Sequence, residues 1–217
     1  MTKPTFRRFF AYIFDSLIVV LIATAFSSIK FINPHMEEYE NVYNEYNEYV
    51  MEISQNPENA NQIIKSEKMS ALTYDMANYG KSVSIVTLVV SFLYFVVFQF
   101  VTNGKTAGKL IMGIEVIPNE GDKLKFTQVL LRSALINSLL TSLLLILAII
   151  FVSRGAFFKV YMGIEIIDMA IVFVCCGMII AKDNGVGLHD MLAHTMVIKS
   201  SEKEEILKNR VVKKEDK

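Results

Sequence analysis

Cysteine and histidine are scarce in this 217-residue chain, and net charge is absent. The only cysteines, Cys175 and Cys176, are adjacent and lie in an apolar run. Adjacent cysteines rarely bridge, and there is no Cys-x-x-Cys or Cys/His spacing suited to a metal, so both read as small packing residues. The histidines are His35, His189 and His194. The last two are five apart, which suits neither one helical face nor one face of a strand. No metal site and no cofactor is expected. Twenty-two basic side chains cancel 22 acidic ones, which argues against a nucleic-acid partner, because such binders carry a basic surplus. No Ser/His/Asp or Cys/His set is evident, so an enzyme is not expected.

Charge is also missing from long stretches of the chain, and that absence carries the main conclusion. Apolar residues make up 53% of the sequence, and they are concentrated rather than spread. About 20 consecutive apolar residues span a bilayer as a helix. Four windows qualify, at about 9–29, 83–102, 134–153 and 160–181. The expected fold is therefore an all-α membrane protein with four transmembrane helices. Sixteen of the 22 Lys and Arg fall before the first run, between the second and third, or after the fourth. Basic residues favour the cytoplasmic side, so both termini are expected in the cytoplasm of a plasma-membrane protein. The first run has a basic start like a signal peptide, but its length and Asp15 within it argue against cleavage.

Residues 35–82 are expected to lie outside the cell as a helical hairpin. Nine acidic residues lie there against Lys65, Lys68 and Lys81. Tyr39, Tyr43, Tyr46, Val50 and Ile53 recur at helical steps, and Asn56-Pro57 has the form of a second helix start. On the opposite side, Ile111–Ile117 has strand-like content, Lys123–Phe126 is a candidate return strand, and His194–Lys199 is another strand candidate. A small cytoplasmic β element is expected from these. Thr127 is a candidate cap for a short helix leading through Arg132 into the third span. A single domain is expected over 1–200, with 201–217 as a charged cytoplasmic tail.

Asn103-Gly104-Lys105-Thr106-Ala107-Gly108-Lys109 looks briefly like a phosphate loop. It fails, because three residues rather than four separate the glycines and Leu110 follows the lysine. The same residues carry a different resemblance. Arg8 at the start of the first run and Asp15 in its middle, Gly104-x-Thr106-x-Gly108-Lys109, Gly113-x-x-Val116, Arg132 before the third run, and His189-Asp190 before Ala193-x-Thr195-x-Val197 occur in order. The pattern resembles the RDD family of bacterial membrane proteins and covers most of the chain. Ala107 stands where that family usually has proline, and the 35–82 insert is longer than expected. The resemblance implies transport of small ligands, with cation/proton exchange proposed for some members.

Asp15 demands its own explanation, because an ionised carboxylate inside a span costs at least about 2.5–3.5 kcal/mol. Arg8 lies on the same stripe but about 10 Å away along the axis, too far for direct contact. Asp190 is expected to pair with Arg8 or Arg132. One reading is an ion-pair clamp that sets the register of the bundle; the other is a proton or cation site at Asp15. Asp168, three residues after Glu165, shares its face on the fourth run and is a weaker candidate, with Asn137, Ser138 or Ser142 as bland partners. The leading expectation is transport of a small ligand or cation with proton coupling through Arg8, Asp15 and Asp190, supported by Arg132, Asp168, Gly104, Gly108 and Lys109. So small a bundle is expected to be a homo-oligomer. The rival expectation is a membrane scaffold or accessory subunit that binds a partner through the acidic hairpin or the inner loop.

Overall fold

The computed structural model describes residues 4–55, 58 and 66–215. They are mostly helical. The helices are α1 (Thr5–Ser27), α2 (Met36–Gln55), α3 (Glu67–Tyr79), α4 (Lys81–Val101), α5 (Ala107–Ile111), α6 (Phe126–Ile136), α7 (Leu139–Phe151), α8 (Phe157–Ala181), α9 (Leu188–Leu192) and α10 (Lys203–Glu215). Two short strands, β1 (Ile114–Pro118) and β2 (Thr195–Lys199), occur among the described residues.

Helices α1, α4 and α8 are each long and apolar enough to cross a membrane. Only 6% of the most apolar window of α8 is buried within the protein. Phe173 and Ile180 on that helix are 75% and 69% exposed. A water-soluble protein does not leave such a surface uncovered, whereas a helix satisfies its own backbone and can face lipid. A fourth span exists if α6 and α7 together make one broken crossing. The third apolar run is thus not the continuous helix its composition suggests. Asn137 ends α6, and Ser138 takes a left-handed conformation at φ 51°, which few side chains adopt within a helix.

The chain divides into two compact units. The first comprises Met1–Leu21, Val90–Leu139 and Ala170–Lys217, and the second Ile22–Val89 and Leu140–Met169. In the second unit α2 and α3 run antiparallel. Tyr49 meets the Ser66 hydroxyl at 2.9 Å, Glu45 meets Lys68 at 3.4 Å, and His35 meets the Tyr79 ring at 5.9 Å. The helix start expected at Asn56-Pro57 lies outside the described residues; α3 begins after Ser66, whose hydroxyl accepts from the Met69 N–H at 3.1 Å. Ser70 then ties α3 to the α7–α8 turn, donating to the Arg154 carbonyl at 2.7 Å and accepting from the Phe158 N–H at 3.2 Å. Buried Ala148, Ile149 and Phe157 pack with Tyr74 and Ala77 beside this turn.

In the first unit β1 pairs antiparallel with β2, from Ile114 opposite Lys199 to Pro118 opposite Thr195. The return partner of β1 is therefore the distant segment before α10. Lys123–Phe126 forms no strand; Lys125 instead opens α6, with its N–H donating to the Gln128 side chain at 3.0 Å. The cap is thus two residues earlier than Thr127. All five residues of β1 are buried, including Glu115. Its carboxylate is met by Lys203 at 2.6 Å, which fastens the start of α10 to the sheet.

Candidate functional site

Two buried carboxylates organise the first unit, and different chemistry holds each. Asp15, on α1, is 1% exposed. Its Oδ1 accepts from the Tyr94 hydroxyl at 2.6 Å and the Gly108 N–H at 2.7 Å. Its Oδ2 accepts from the Thr106 hydroxyl at 2.5 Å, with Lys109 Nζ 3.9 Å away. Tyr94 lies in a π-helical stretch of α4, Leu93–Phe98, the kind of local widening that often marks a functional position.

The glycine motif is shaped for this carboxylate. Gly104 turns at φ +97°, taking the Gln99 carbonyl at 2.8 Å and giving its own carbonyl to the Val116 N–H at 3.0 Å. Thr106 caps α5, its hydroxyl accepting from the Lys109 N–H at 3.4 Å. A Cβ at Gly108 would lie 2.8 Å from Asp15 Oδ1 and would also strike the Ala11 carbonyl. Only glycine lets the loop backbone come this close. The loop thus uses the physics of a phosphate loop, with an N–H, a hydroxyl and a lysine around an anion. Here the anion is the chain's own Asp15.

Asp190, on α9, is fully buried between two arginines. Arg8 Nη2 donates to its Oδ2 at 2.5 Å, and Arg132 Nη1 pairs with its Oδ1. The Gly187 N–H donates to Oδ2 at 3.2 Å. Arg8 also donates to the Gly185 carbonyl. Arg132 reaches Thr195 at 3.5 Å, which links the cluster to β2. His189 Nε2 lies 3.4 Å from both Arg8 Nη2 and Asp190 Oδ2. Burial, then Arg132, Arg8 and Lys109, push the imidazole down to about 2, so it is neutral.

Both clusters border one cavity of about 210 Å³. Arg8, Asp15, Gln99, Lys109, Arg132 and His189 line it, among mostly apolar side chains. Burial pushes the Lys109 ammonium down to about 7; the Asp15 carboxylate opposes this, while Arg132 and Arg8 add to it. Gln99 is 1% exposed; its Oε1 faces Lys109 Nζ at 3.5 Å, and its Nε2 has no partner among the described residues.

The RDD family model matches residues 2–194. The chain belongs to the RDD family. No curated protein and no solved structure matches it. In this RDD protein, Arg8, Arg132 and Asp190 form one cluster. Asp15 joins Gly108 and Lys109 in another, with Gly104 setting the turn that precedes them. Arg8 and Asp15 make no direct contact and meet only as walls of the cavity. Asp168 does not line it: on α8 in the second unit it accepts from the Thr141 hydroxyl at 2.5 Å. Thr141 lies next to Ser142, one of the expected partners.

Three contributors escape a reading based on charge. Tyr94 looks like one more aromatic in an apolar span. Thr106 sits in the motif, but its spacing to Asp15 is 91 residues. Gln99 had a usable signal, because it is the lone amide in a run without charged residues.

Proposed function

We propose that this RDD membrane protein carries a small ligand through the cavity of the first unit, exchanging a proton at the Lys109–Asp15 pair. The observation that carries the reading is the charge balance at the cavity. Arg8, Arg132 and protonated Lys109 face only Asp15 and Asp190, with His189 neutral. Lys109 is held near 7, so one proton decides whether the cavity has a surplus positive charge. General proton-transfer sites are tuned this way, by burial and by neighbours.

An alkali cation is a poorer fit than a ligand that welcomes positive charge. Both carboxylates are already occupied, and a cation would have to displace Lys109 or an arginine. The Arg8–Asp190–Arg132 cluster serves as the clamp that holds α1, α6 and α9 around the cavity. The distribution of Lys and Arg supports cytoplasmic termini in the plasma membrane, and the small number of spans supports a homo-oligomer.

The test is flux in proteoliposomes with a pH-sensitive dye inside, using pulses of sodium, potassium, acetate or decanoate outside. Proton movement in wild type that is lost in both Lys109→Met and Asp15→Asn supports the reading. Correctly folded protein that moves no protons with any of these solutes removes it.

A further inference from the structure

The cavity has features beyond its charge that narrow the ligand. Gln99 supplies a buried donor with no acceptor. Its Oε1 is turned toward Lys109 Nζ, which in its ammonium form can only donate, so the amide N–H₂ is the end left free. A buried donor without an acceptor costs free energy until an acceptor arrives. Gln99 and Lys109 both line the cavity, beside the two guanidinium groups, so the vacant acceptor position lies in a field set by three cationic groups. The remainder of the wall is apolar and runs along Phe9 and Tyr12 of α1 and Ile179 and Ile180 of α8. Phe9, Tyr12 and Ile180 are 60%, 46% and 69% exposed on helices that face lipid. The cavity therefore has a basic, hydrogen-bonding end and an apolar side reaching the lipid-facing surface.

On the reading that this cavity is the ligand site, we infer that it takes an amphiphilic anion: a carboxylate or phosphate head at Lys109 and Gln99 Nε2, with an apolar chain along α1 and α8. The head supplies the acceptor that Gln99 lacks and balances the surplus cation. The chain covers apolar wall that a hydrated inorganic ion cannot use. A cationic amphiphile would match the chain but meet Arg8, Arg132 and Lys109. The arrangement also couples binding to protons: an anion beside Lys109 favours its ammonium form. By linkage the anion then binds more weakly as pH rises past about 7.

The experiment is equilibrium calorimetry on the full chain in phosphatidylcholine nanodiscs, with empty nanodiscs subtracted to remove partitioning. The probes are acetate, decanoate, decyl phosphate, inorganic phosphate and decyltrimethylammonium. Decanoate and decyl phosphate are expected to bind, acetate and inorganic phosphate much more weakly, and the ammonium amphiphile not above the empty-disc background. Gln99→Leu, which removes the unpartnered donor together with the Oε1 that faces Lys109 and nearly keeps the volume, is expected to fold and to weaken decanoate by about tenfold or more. Inorganic phosphate binding as tightly as decyl phosphate, or Gln99→Leu binding decanoate like wild type, overturns the inference. Nanodiscs containing phosphatidic acid separate two sources of the ligand. Competition with decanoate identifies a bilayer lipid, and its absence a single-chain amphiphile; either result upholds the class. Binding is measured here without flux. Binding without proton movement in proteoliposomes would therefore discard the transport reading and leave the ligand assignment standing.

Discussion

Asp190 and Asp15 are two buried carboxylates whose clusters border one cavity, and their partners differ in a single respect. Asp190 is held by Arg8 and Arg132; burial lowers both guanidinium groups, Arg8 only to about 10, and arginines paired with a carboxylate keep their charge near neutral pH. Asp15 is held by two hydroxyls, one backbone N–H and a lysine that is itself buried and near its neutral form. On the transport reading proposed above, the first arrangement is fixed and the second exchanges a proton, so similar burial serves as a structural joint in one place and a switch in the other.

The comparison breaks most visibly at Asp190. Asp190→Ala leaves two buried guanidinium groups facing each other, and removing one partner of a buried pair costs about 3–5 kcal/mol. Loss of folded protein from the membrane is expected, read by size-exclusion profile after mild extraction. Gly108→Ala comes next. Its Cβ would lie 2.8 Å from Asp15 Oδ1, and the Ala11 carbonyl cannot retreat without bending α1. Overpacking of this kind costs about 1–3 kcal/mol, seen as a lower thermal midpoint with the protein still assembled.

A subtler effect sharpens the contrast at Lys109. Burial lowers its folded value from 10.5 to about 7. Between those values the unfolded chain binds the extra proton, so this group makes stability rise with pH from about 7 toward 10.5. Lys109→Met should flatten that rise in a thermal-midpoint series. The smallest effect belongs to the second unit. Asp168→Asn keeps an acceptor for the Thr141 hydroxyl, and a change of about 1 kcal/mol or less is expected by the same thermal assay.

The spans were legible in the sequence because lipid demands long uncharged runs, and α1, α4 and α8 answer to three of them. Helix α1 begins at Thr5 rather than at residue 9 because Arg7 and Arg8 are good helix formers whose charged ends find partners, Met112 and Asp190. The break at Asn137–Ser138 was hidden because apolar residues flank it on both sides. A left-handed serine has no signature in composition. The strand expected at Ile111–Ile117 forms at Ile114–Pro118, because Ile111 still belongs to α5, and its partner Thr195–Lys199 falls within the expected His194–Lys199; that β1 takes this segment rather than Lys123–Phe126 was not legible, since pairing across about 80 residues leaves no local pattern. At the site, the charged residues could be named and even grouped. The division of labour could not, because it depends on Tyr94, Thr106 and Gln99, which carry no charge and converge only in three dimensions. The rejected phosphate loop is instructive here: its chemistry was visible, while its ligand, a side chain 89 residues before the motif's first glycine, was not.

The central claim is that a proton at the Lys109–Asp15 pair accompanies the ligand, while the Arg8–Asp190–Arg132 clamp stays unchanged. Proton uptake on binding tests it most directly, measured at pH 7 as the dependence of decanoate binding enthalpy on the ionisation enthalpy of the buffer. Uptake of a fraction of one proton by wild type, and none by Lys109→Met, is the predicted result. Decanoate binding by wild type with no proton taken up would contradict it.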